Sequence, residues 1–361
     1  MTGTLAEPDR GLSSPADYLE AVLDRANDAL RAHGCIERAF RIAGKVLKFR
    51  FAGPPLADRM TRALGHLAVE GPETVDLDVS VFDTETTGVR MPPPPWQDGE
   101  LRMHGEIESL IDAGLYAHYN VYHSALTILD PASGRGAFWL PDPTCFPDHE
   151  TATPVFALFQ GWLGLSGLAL VHAAAVGTDR AGALLVGVNG TGKSNTVLSC
   201  LGSELGFVGD DRCLIGCDPD PVAYSLYSSA KIWGGDEDHI PAVVNLSGQA
   251  ELMSTGKSVI FLNECPGGTL RASTPIKCIL YPRVTDAQST TIRPADRASG
   301  IRLLASETAL RWPATGRRTI GAISEMFRRA PVHTLELGTD RTRIASVLLD
   351  FLESGAVRDG A

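Results

Sequence analysis

The spacing of apolar residues predicts a compact arrangement of short helices and strands in the first part of the chain. After Ser14, apolar side chains recur every three to four positions to about residue 32, which predicts a helix that Ser14 caps and Pro15 begins. Residues 40–51 alternate between apolar and polar on both sides of Gly44, as in a β-hairpin. A further helix and two strands are predicted at 56–69, 75–82 and 121–129. We therefore expect a small α/β domain at residues 14–150, behind a flexible tail at 1–13.

The second part of the chain alternates apolar runs with helical patterns, and an apolar helix at 154–170 is predicted to lead into it. The run Ala183-Leu184-Leu185-Val186 indicates a buried strand, and a helical pattern follows at 194–201. Further strands are predicted at 207–208, 214–215, 259–262 and 277–282, and further helices at 295–304, 319–327 and 340–352. This alternation favours an α/β domain at residues 151–355, with a central mixed sheet covered on both faces.

Between that buried strand and its helix lies a complete G-x-x-x-x-G-K-[ST] pattern, Gly187-Val188-Asn189-Gly190-Thr191-Gly192-Lys193-Ser194. Its glycines allow backbone N–H groups to converge on phosphate oxygens, while Lys193 would reach the outer phosphates and the Ser194 hydroxyl would bind Mg²⁺. Asn195 completes the predicted nucleotide-binding set. The alternative is a glycine-rich turn without a ligand, which the strand and helix on either side disfavour. The pattern predicts a P-loop nucleotide-binding domain.

Two acidic residues and one histidine are expected beside this loop. Asp210 and Asp211 follow Lys193 by 17 and 18 positions, an interval that allows a helix and a strand to return to the sheet. The alternative for this pair is a solvated turn after Gly209. His172 lies 21 positions before Lys193, at the end of an apolar run. It is either a core histidine or a contact of the γ-phosphate or of the two carboxylates.

Two lysines, Lys231 and Lys257, are candidate contacts of the transferred phosphate or of the substrate. Each could equally be an ordinary surface lysine, because lysine is exposed by default.

Composition limits the partners of the protein. The formal net charge of −11 disfavours a nucleic-acid binder or a protein that is held on anionic lipid by charge. Seven cysteines without a C-x-x-C pair are typical of reduced thiols in a cytosol. No signal peptide and no run of 18 apolar residues is apparent, so we expect a cytoplasmic protein that is not bound to a membrane. A homo-oligomer is compatible with the sequence.

The order of histidine, phosphate loop and aspartate pair resembles the HPr kinase/phosphorylase family and its homologues in the phosphoenolpyruvate-carboxykinase-like class of P-loop proteins. The resemblance is most specific over residues 172–212 and is more diffuse to about residue 352. It implies that Asp210 accepts the proton of a substrate hydroxyl while Asp211 assists and serves Mg²⁺. The working set that it implies consists of His172, Lys193, Ser194 and Asp210.

The chain also departs from that family. It lacks the later Glu-x-Arg-Gly-x-Gly signature, and the stretch Glu264-Cys265-Pro266-Gly267-Gly268 is no substitute. Phosphorolysis and recognition of HPr are therefore not expected. The layout, including Leu226-Tyr227-Ser228-Ser229-Ala230-Lys231, looks like that of divergent stand-alone members, some of which phosphorylate a seryl group on a small peptide.

The sequence thus predicts an ATP- and Mg-dependent kinase that transfers the γ-phosphoryl to a hydroxyl, in the first place a Ser or Thr of a peptide or protein. A small-metabolite kinase and a nucleotide-sensing regulatory protein without catalysis are the alternatives. The aspartate pair favours an enzyme, since binding alone needs no second carboxylate. Residues 14–150 are hypothesised to recognise the acceptor.

Overall fold

The computed structural model describes residues 14–102, 104–233, 250–266, 269–308 and 313–354, and the predicted tail at 1–13 lies outside them. The described chain has a mixed α/β fold and divides into two compact units. The first unit ends at Leu165 and the second begins at Ser166, while the short segment Ala63–Leu67 belongs to the second. No helix among the described residues is long and apolar enough to cross a membrane.

A seven-stranded mixed sheet forms the centre of the first unit. Its strands are β1 (Cys35–Ile42), β2 (Lys45–Ala52), β3 (Ala68–Val69), β4 (Leu77–Asp83), β5 (Tyr116–Asn120), β6 (Ala125–Asp130) and β7 (Arg135–Leu140). They lie in the order β3-β1-β2-β4-β7-β6-β5, and β4 is parallel to both of its neighbours. The helices are α1 (Pro15–His33), α2 (Ala57–Thr61), α3 (Thr84–Thr87), α4 (Glu108–Asp112) and α5 (Phe156–Leu165). Shorter 3₁₀ segments lie at Asp98–Glu100, Pro143–Cys145 and Asp148–Ala152, and a fourth, Arg62–Leu67, falls almost entirely in the segment that belongs to the second unit.

The predicted first helix and hairpin are confirmed. The Ser14 hydroxyl accepts a hydrogen bond from the backbone N–H of Asp17 at 3.2 Å, which satisfies one of the free donors at the start of α1. The buried face of α1 packs on the sheet, where Val22 and Leu23 contribute to the core. In the hairpin, β1 and β2 are joined at Ala43 and Gly44, both of which have positive φ angles.

Two predicted elements of the first unit are wrong in part. The helix expected at 56–69 ends at Thr61, continues as a 3₁₀ segment and gives way to β3, which pairs with β1. Gly65 lies inside the predicted span, and glycine is a poor helix former. The strand expected at 121–129 begins only at Ala125, because the Asn120 side chain accepts the Tyr122 N–H in a turn that precedes it.

The helix α5 shows why the first unit extends beyond the predicted boundary at residue 150. It packs on β5 and β6 of the first unit. At the contact, a Cβ added to Gly161 would lie 2.3 Å from the Tyr116 ring, so only glycine permits this approach. Residues 151–165, which the sequence analysis assigns to the second domain, therefore belong to the first unit.

A nine-stranded sheet and a three-stranded sheet form the second unit. The larger sheet contains β8 (Ala169–Val171), β9 (Ala173–Gly177), β10 (Gly182–Val186), β11 (Gly206–Gly209), β12 (Cys213–Gly216), β13 (Val222–Tyr224), β17 (Ser273–Val284), β18 (Thr291–Pro294) and β19 (Val332–Leu337). The smaller sheet contains β14 (Ser229–Trp233), β15 (Glu251–Leu252) and β16 (Lys257–Phe261). The helices are α6 (Lys193–Ser199), α7 (Arg297–Glu307), α8 (Pro313–Arg329) and α9 (Ile344–Glu353), with 3₁₀ segments at Leu262–Glu264 and Arg341–Arg343.

The central strand β10 is buried on both faces of the larger sheet, as its apolar run predicts. It is antiparallel to β9 and parallel to β17, and β17 is in turn parallel to β19. Leu184 packs in a core with Ile323 and Phe327 of α8, whereas Leu185 packs on the opposite face with Leu198 of α6. The strand that leads into the glycine-rich loop is therefore packed against helices on both faces.

Candidate functional site

A pocket in the second unit lies where β10 ends, and most of the predicted site residues line it. The lining residues are His172, Asn189, Gly190, Gly192, Lys193, Ser194, Asn195, Asp210, Asp211, Lys231, Trp233, Lys257 and Val284. Three members of the predicted set, Gly187, Val188 and Thr191, form the loop without lining the pocket. Residues from six separate strands, strand ends and loops thus converge on one cavity.

The glycine-rich loop (residues 187–192) has a conformation that depends on its glycines. Gly190 and Gly192 have φ angles of 84° and 102°, a region that disfavours other residues. A Cβ on Gly192 would also lie 2.5 Å from Leu337 Cδ1. Within the loop, the Thr191 hydroxyl donates to the Val188 carbonyl at 3.0 Å. The loop is therefore held as a tight turn before α6 begins.

The Lys193 side chain folds back over this loop. Its Nζ donates to the Gly187 carbonyl at 2.6 Å and to the Val188 carbonyl at 3.1 Å, and the residue is only 7% exposed. A buried ammonium group needs compensating partners, which the loop carbonyls provide. The Lys193 ammonium is therefore a positive charge beside the pocket, and an anion that enters the pocket could attract it.

Asp210 follows β11 and is tied to two other elements. Its Oδ1 accepts the Ser194 hydroxyl at 2.9 Å, and its Oδ2 accepts the backbone N–H of Lys231 at 3.2 Å. The residue is 1% exposed. Burial, and secondly repulsion from Asp211, raises the pKa of Asp210 to about 6, although both hydrogen bonds oppose the rise. A positive ion next to this carboxylate would lower its pKa again.

Asp211 has a positive φ angle of 61°, and its carboxylate has different partners from that of Asp210. The Lys231 Nζ donates to its Oδ2 at 2.9 Å, and its Oδ1 lies 3.4 Å from His172 Nδ1. Its side chain is 26% exposed, more than that of Asp210. Burial raises the pKa of Asp211, but attraction from Lys231 and Arg212 outweighs this and holds the pKa below its usual range. Asp211 is therefore an ionised carboxylate that borders the pocket.

The structure brings His172 next to the aspartate pair, which is one of the two alternatives that the sequence leaves open. His172 lies between β8 and β9, and its backbone N–H donates to the Thr308 hydroxyl at 3.1 Å. Arg212 Nη1 lies 2.6 Å from His172 Nδ1. Because an arginine can only donate, this contact assigns the lone pair to Nδ1 and the ring proton to Nε2. Arg212 thus contacts both His172 and the backbone carbonyl of Asp211.

Lys231 and Lys257 have different surroundings in the pocket. Lys231 pairs with Asp211, whereas the Lys257 ammonium lies over the Trp233 ring, 4.7 Å from its centroid. The register of β14 and β16 explains this contact, because Trp233 is directly opposite Lys257. Among the predicted cations, Lys193 and Lys231 therefore lie next to the loop and the carboxylates, and Lys257 lies at the aromatic side.

Three residues of the site were missed by the sequence analysis: Arg212, Trp233 and Val284. Arg212 directly follows the aspartate pair, so its position was a usable signal. Trp233 is two residues after Lys231 on the same strand and hence on the same face of it. Val284 ends β17, and no pattern in the sequence connects it with the loop.

The donor set is suited to magnesium. Mg²⁺ prefers oxygen ligands and is usually held by one or two carboxylates together with substrate phosphates. Ser194 Oγ and Asp210 Oδ1 are adjacent hard oxygen donors, so they fit this ion. The pair differs from the predicted one, since Ser194 contacts Asp210 and not Asp211. Among the described residues, no group of three or more His, Cys, Asp or Glu side chains could hold a metal ion without such a substrate.

Comparison with models of known protein families gives no match. Comparison with the curated proteins gives none either.

Proposed function

We propose that the second unit is a P-loop nucleotide-binding domain and that the protein is an ATP- and Mg-dependent kinase. The observation that carries this proposal is the convergence of Lys193, Ser194 and the aspartate pair on one pocket beside a complete phosphate-loop pattern. Phosphoryl transfer requires cations around the phosphates and a carboxylate that orients the attacking group. The pocket contains both kinds of group within hydrogen-bonding distance of one another.

In this proposal the Lys193 ammonium gives up its hydrogen bonds to the loop carbonyls and binds the outer phosphates of the nucleotide. Its present contacts with Gly187 and Val188 keep the buried ammonium satisfied until an anion enters. Lys231 would contribute a second positive charge from the side of Asp211. When bound, Mg²⁺ would neutralise charge that develops on the transferred phosphoryl.

We assign the two aspartates the opposite roles to those that the resemblance implies. Both oxygens of Asp210 are already engaged, it is buried, and it touches Ser194, so it suits the magnesium side of the site. Asp211 is ionised and more exposed, and it borders the pocket next to His172. Asp211 is therefore the better candidate to accept the proton of an incoming hydroxyl. In a loose transition state, orientation matters more for this step than the strength of the base.

The acceptor is proposed to be a Ser or Thr hydroxyl of a peptide or protein. This part rests on the resemblance of residues 172–212 to HPr kinases. Recognition of that acceptor by the first unit stays a prediction, as does the cytoplasmic location. Small-metabolite phosphorylation and nucleotide sensing without transfer are the outcomes against which the proposal is tested.

The test is incubation of the full chain with γ-labelled ATP, Mg²⁺ and peptides encoded beside its gene. We expect label on a Ser or Thr of one peptide, and loss of that label in Lys193→Ala. Lys277→Ala is the matched control, because Lys277 is an exposed lysine of the same unit that does not line the pocket. Label in a small molecule alone would contradict the peptide acceptor, and ATP binding without any transfer would contradict the kinase.

A further inference from the structure

A second cavity, of about 470 Å³, lies next to the end of the glycine-rich loop. Its walls come from the end of β17, the end of β19 and the start of α9. Three residues, Gly192, Asn195 and Val284, line both this cavity and the pocket described above. The two cavities are therefore neighbours at the point where α6 begins.

The walls of the second cavity are preformed. The Leu337 carbonyl accepts hydrogen bonds from both the N–H and the hydroxyl of Thr285, at 2.9 and 3.0 Å. Farther along, the backbone N–H of Thr339 donates to the Ala287 carbonyl at 2.8 Å. A Cβ on Gly338 would lie 2.5 Å from the Gln288 carbonyl oxygen, so the two segments are in close contact. A ligand would find this wall already ordered.

The chemistry of the lining combines apolar surface with a few polar groups. The apolar part is contributed by Val284, Leu337 and Ile344, and the polar part by Thr339, Arg341 and Thr342. Val284 is 62% exposed although it lies at a strand end next to the loop, so it offers free apolar surface. Arg341 Nη1 is buried and has no hydrogen-bond partner among the described residues. This buried guanidinium donor is thus available to an acceptor atom of a ligand.

We propose that this second cavity binds the nucleoside portion of the triphosphate, with Arg341 against the base. The proposal rests on the proposed function, because it takes the outer phosphates to lie at Lys193 and Ser194. The phosphate chain must then leave the first pocket, and Gly192 and Asn195 are the residues that lead into the second. A flat base has apolar faces and polar edges, which the mixed lining suits, and guanidinium groups stack on such rings.

The test compares two ligands that differ only in the nucleoside, ATP and inorganic tripolyphosphate, each titrated with Mg²⁺ into the full chain. The wild type is expected to bind ATP at least about tenfold more tightly. Arg341→Ala should weaken ATP binding about tenfold and leave tripolyphosphate binding within about twofold, since alanine at a binding arginine commonly costs this much. Arg343→Ala, a change at an exposed arginine two residues away that does not line the cavity, should alter neither ligand.

Thr339→Ala provides a second variant, because this exposed side chain lines only the second cavity and contributes little to folding. It should weaken ATP binding about threefold without an effect on tripolyphosphate. The inference is overturned if the wild type binds both ligands equally, if Arg341→Ala leaves ATP binding unchanged, or if it weakens both ligands to the same extent. Lys193→Ala separates the two proposals: if it weakens neither ligand, the proposed phosphate site itself is wrong.

Discussion

Asp83 in the first unit and Asp210 in the second are both 1% exposed, yet their partners differ. Asp83 caps α3, and its Oδ1 accepts the backbone N–H of Thr86, three residues farther on. Asp210 accepts from Ser194 at the start of α6 and from Lys231 on β14. A buried carboxylate that caps the helix next to it in the sequence has a local structural role. One that connects separate elements at a pocket indicates a functional site.

The ion pairs of the two units show the same contrast between a contact that local structure explains and one that joins separate elements. Lys48 and Asp78 are 3.0 Å apart and directly opposite each other on β2 and β4, so the strand register explains their contact. Lys231 and Asp211 are 2.9 Å apart with similar exposure, but no strand pairing joins them. The length of an ion pair therefore says little about function, and its position beside the glycine-rich loop says more.

The largest contrast is expected between Lys193→Ala and Lys48→Ala. Removal of the Lys193 ammonium should lower the rate of phosphoryl transfer by about 10³-fold, because it removes a charge that stabilises the transferring group. Lys48→Ala should leave the rate unchanged. Single-turnover transfer from labelled ATP measures both variants, and equal rates would remove the distinction between the two units.

The two aspartates of the pocket should also differ from each other. Asp211→Asn should lower the transfer step by about 10²-fold while ATP affinity in the presence of Mg²⁺ is kept, because only the acceptor side is changed. Asp210→Asn should lower the affinity for ATP with Mg²⁺ as well. Affinity and single-turnover rate, measured for each variant, provide the comparison. The reverse pattern would restore the roles that the family resemblance implies.

A pH dependence is expected from the raised pKa of Asp210, about 6. Below this pH the carboxyl is protonated, so Mg²⁺ must compete with a proton, and Mg-dependent affinity for ATP should fall by up to about tenfold per unit. For the free protein the sign is opposite: the folded state holds the proton more tightly than the unfolded chain, so this group lowers stability as the pH rises from about 4 to 6.

The Asp210→Asn variant is the control for that pH dependence. The affinity of this variant for ATP should change with pH only as the nucleotide itself titrates. Titrations of wild type and variant between pH 5 and 8 separate the two effects, and parallel profiles would show that Asp210 does not titrate in this range.

The smallest effect is expected for Asp78→Asn in the first unit. Its partners are partly exposed, so the free energy of unfolding should fall by no more than about 1 kcal/mol, with no change in transfer rate. Thermal or urea unfolding measures the change. A loss of transfer with stability intact would mean that the first unit takes part in the reaction directly.

Local patterns in the sequence predicted much of this molecule. The cap at Ser14, the hairpin at Gly44 and the strand and helix on either side of the glycine-rich loop depend on neighbouring residues, and the structure has each of them. Adjacent residues that leave a strand point to opposite sides, and the aspartate pair does so. The sequence could not predict which of the two aspartates contacts Ser194. This depends on the backbone of Asp211, which has a positive φ angle in this tertiary setting.

Long-range packing decided the elements that the sequence analysis missed. The strand β19 was not predicted, although it pairs with β17 in the centre of the sheet and supplies Leu337 beside the loop. The boundary of the first unit depends on the contact of Gly161 with Tyr116, residues that are 45 positions apart. Such contacts leave no periodic signal in the chain.

The central claim is that Ser194 and Asp210 hold Mg²⁺ for a bound nucleotide. The most direct measurement is the affinity for ATP with and without Mg²⁺, in the wild type and in Ser194→Ala, Asp210→Asn and the double variant. We predict that Mg²⁺ strengthens ATP binding at least about tenfold in the wild type, and that each single variant loses this gain with no further loss in the double variant, since the two residues act on one ion. Wild-type affinity that does not change with Mg²⁺, or a gain that persists in Asp210→Asn, would contradict the account.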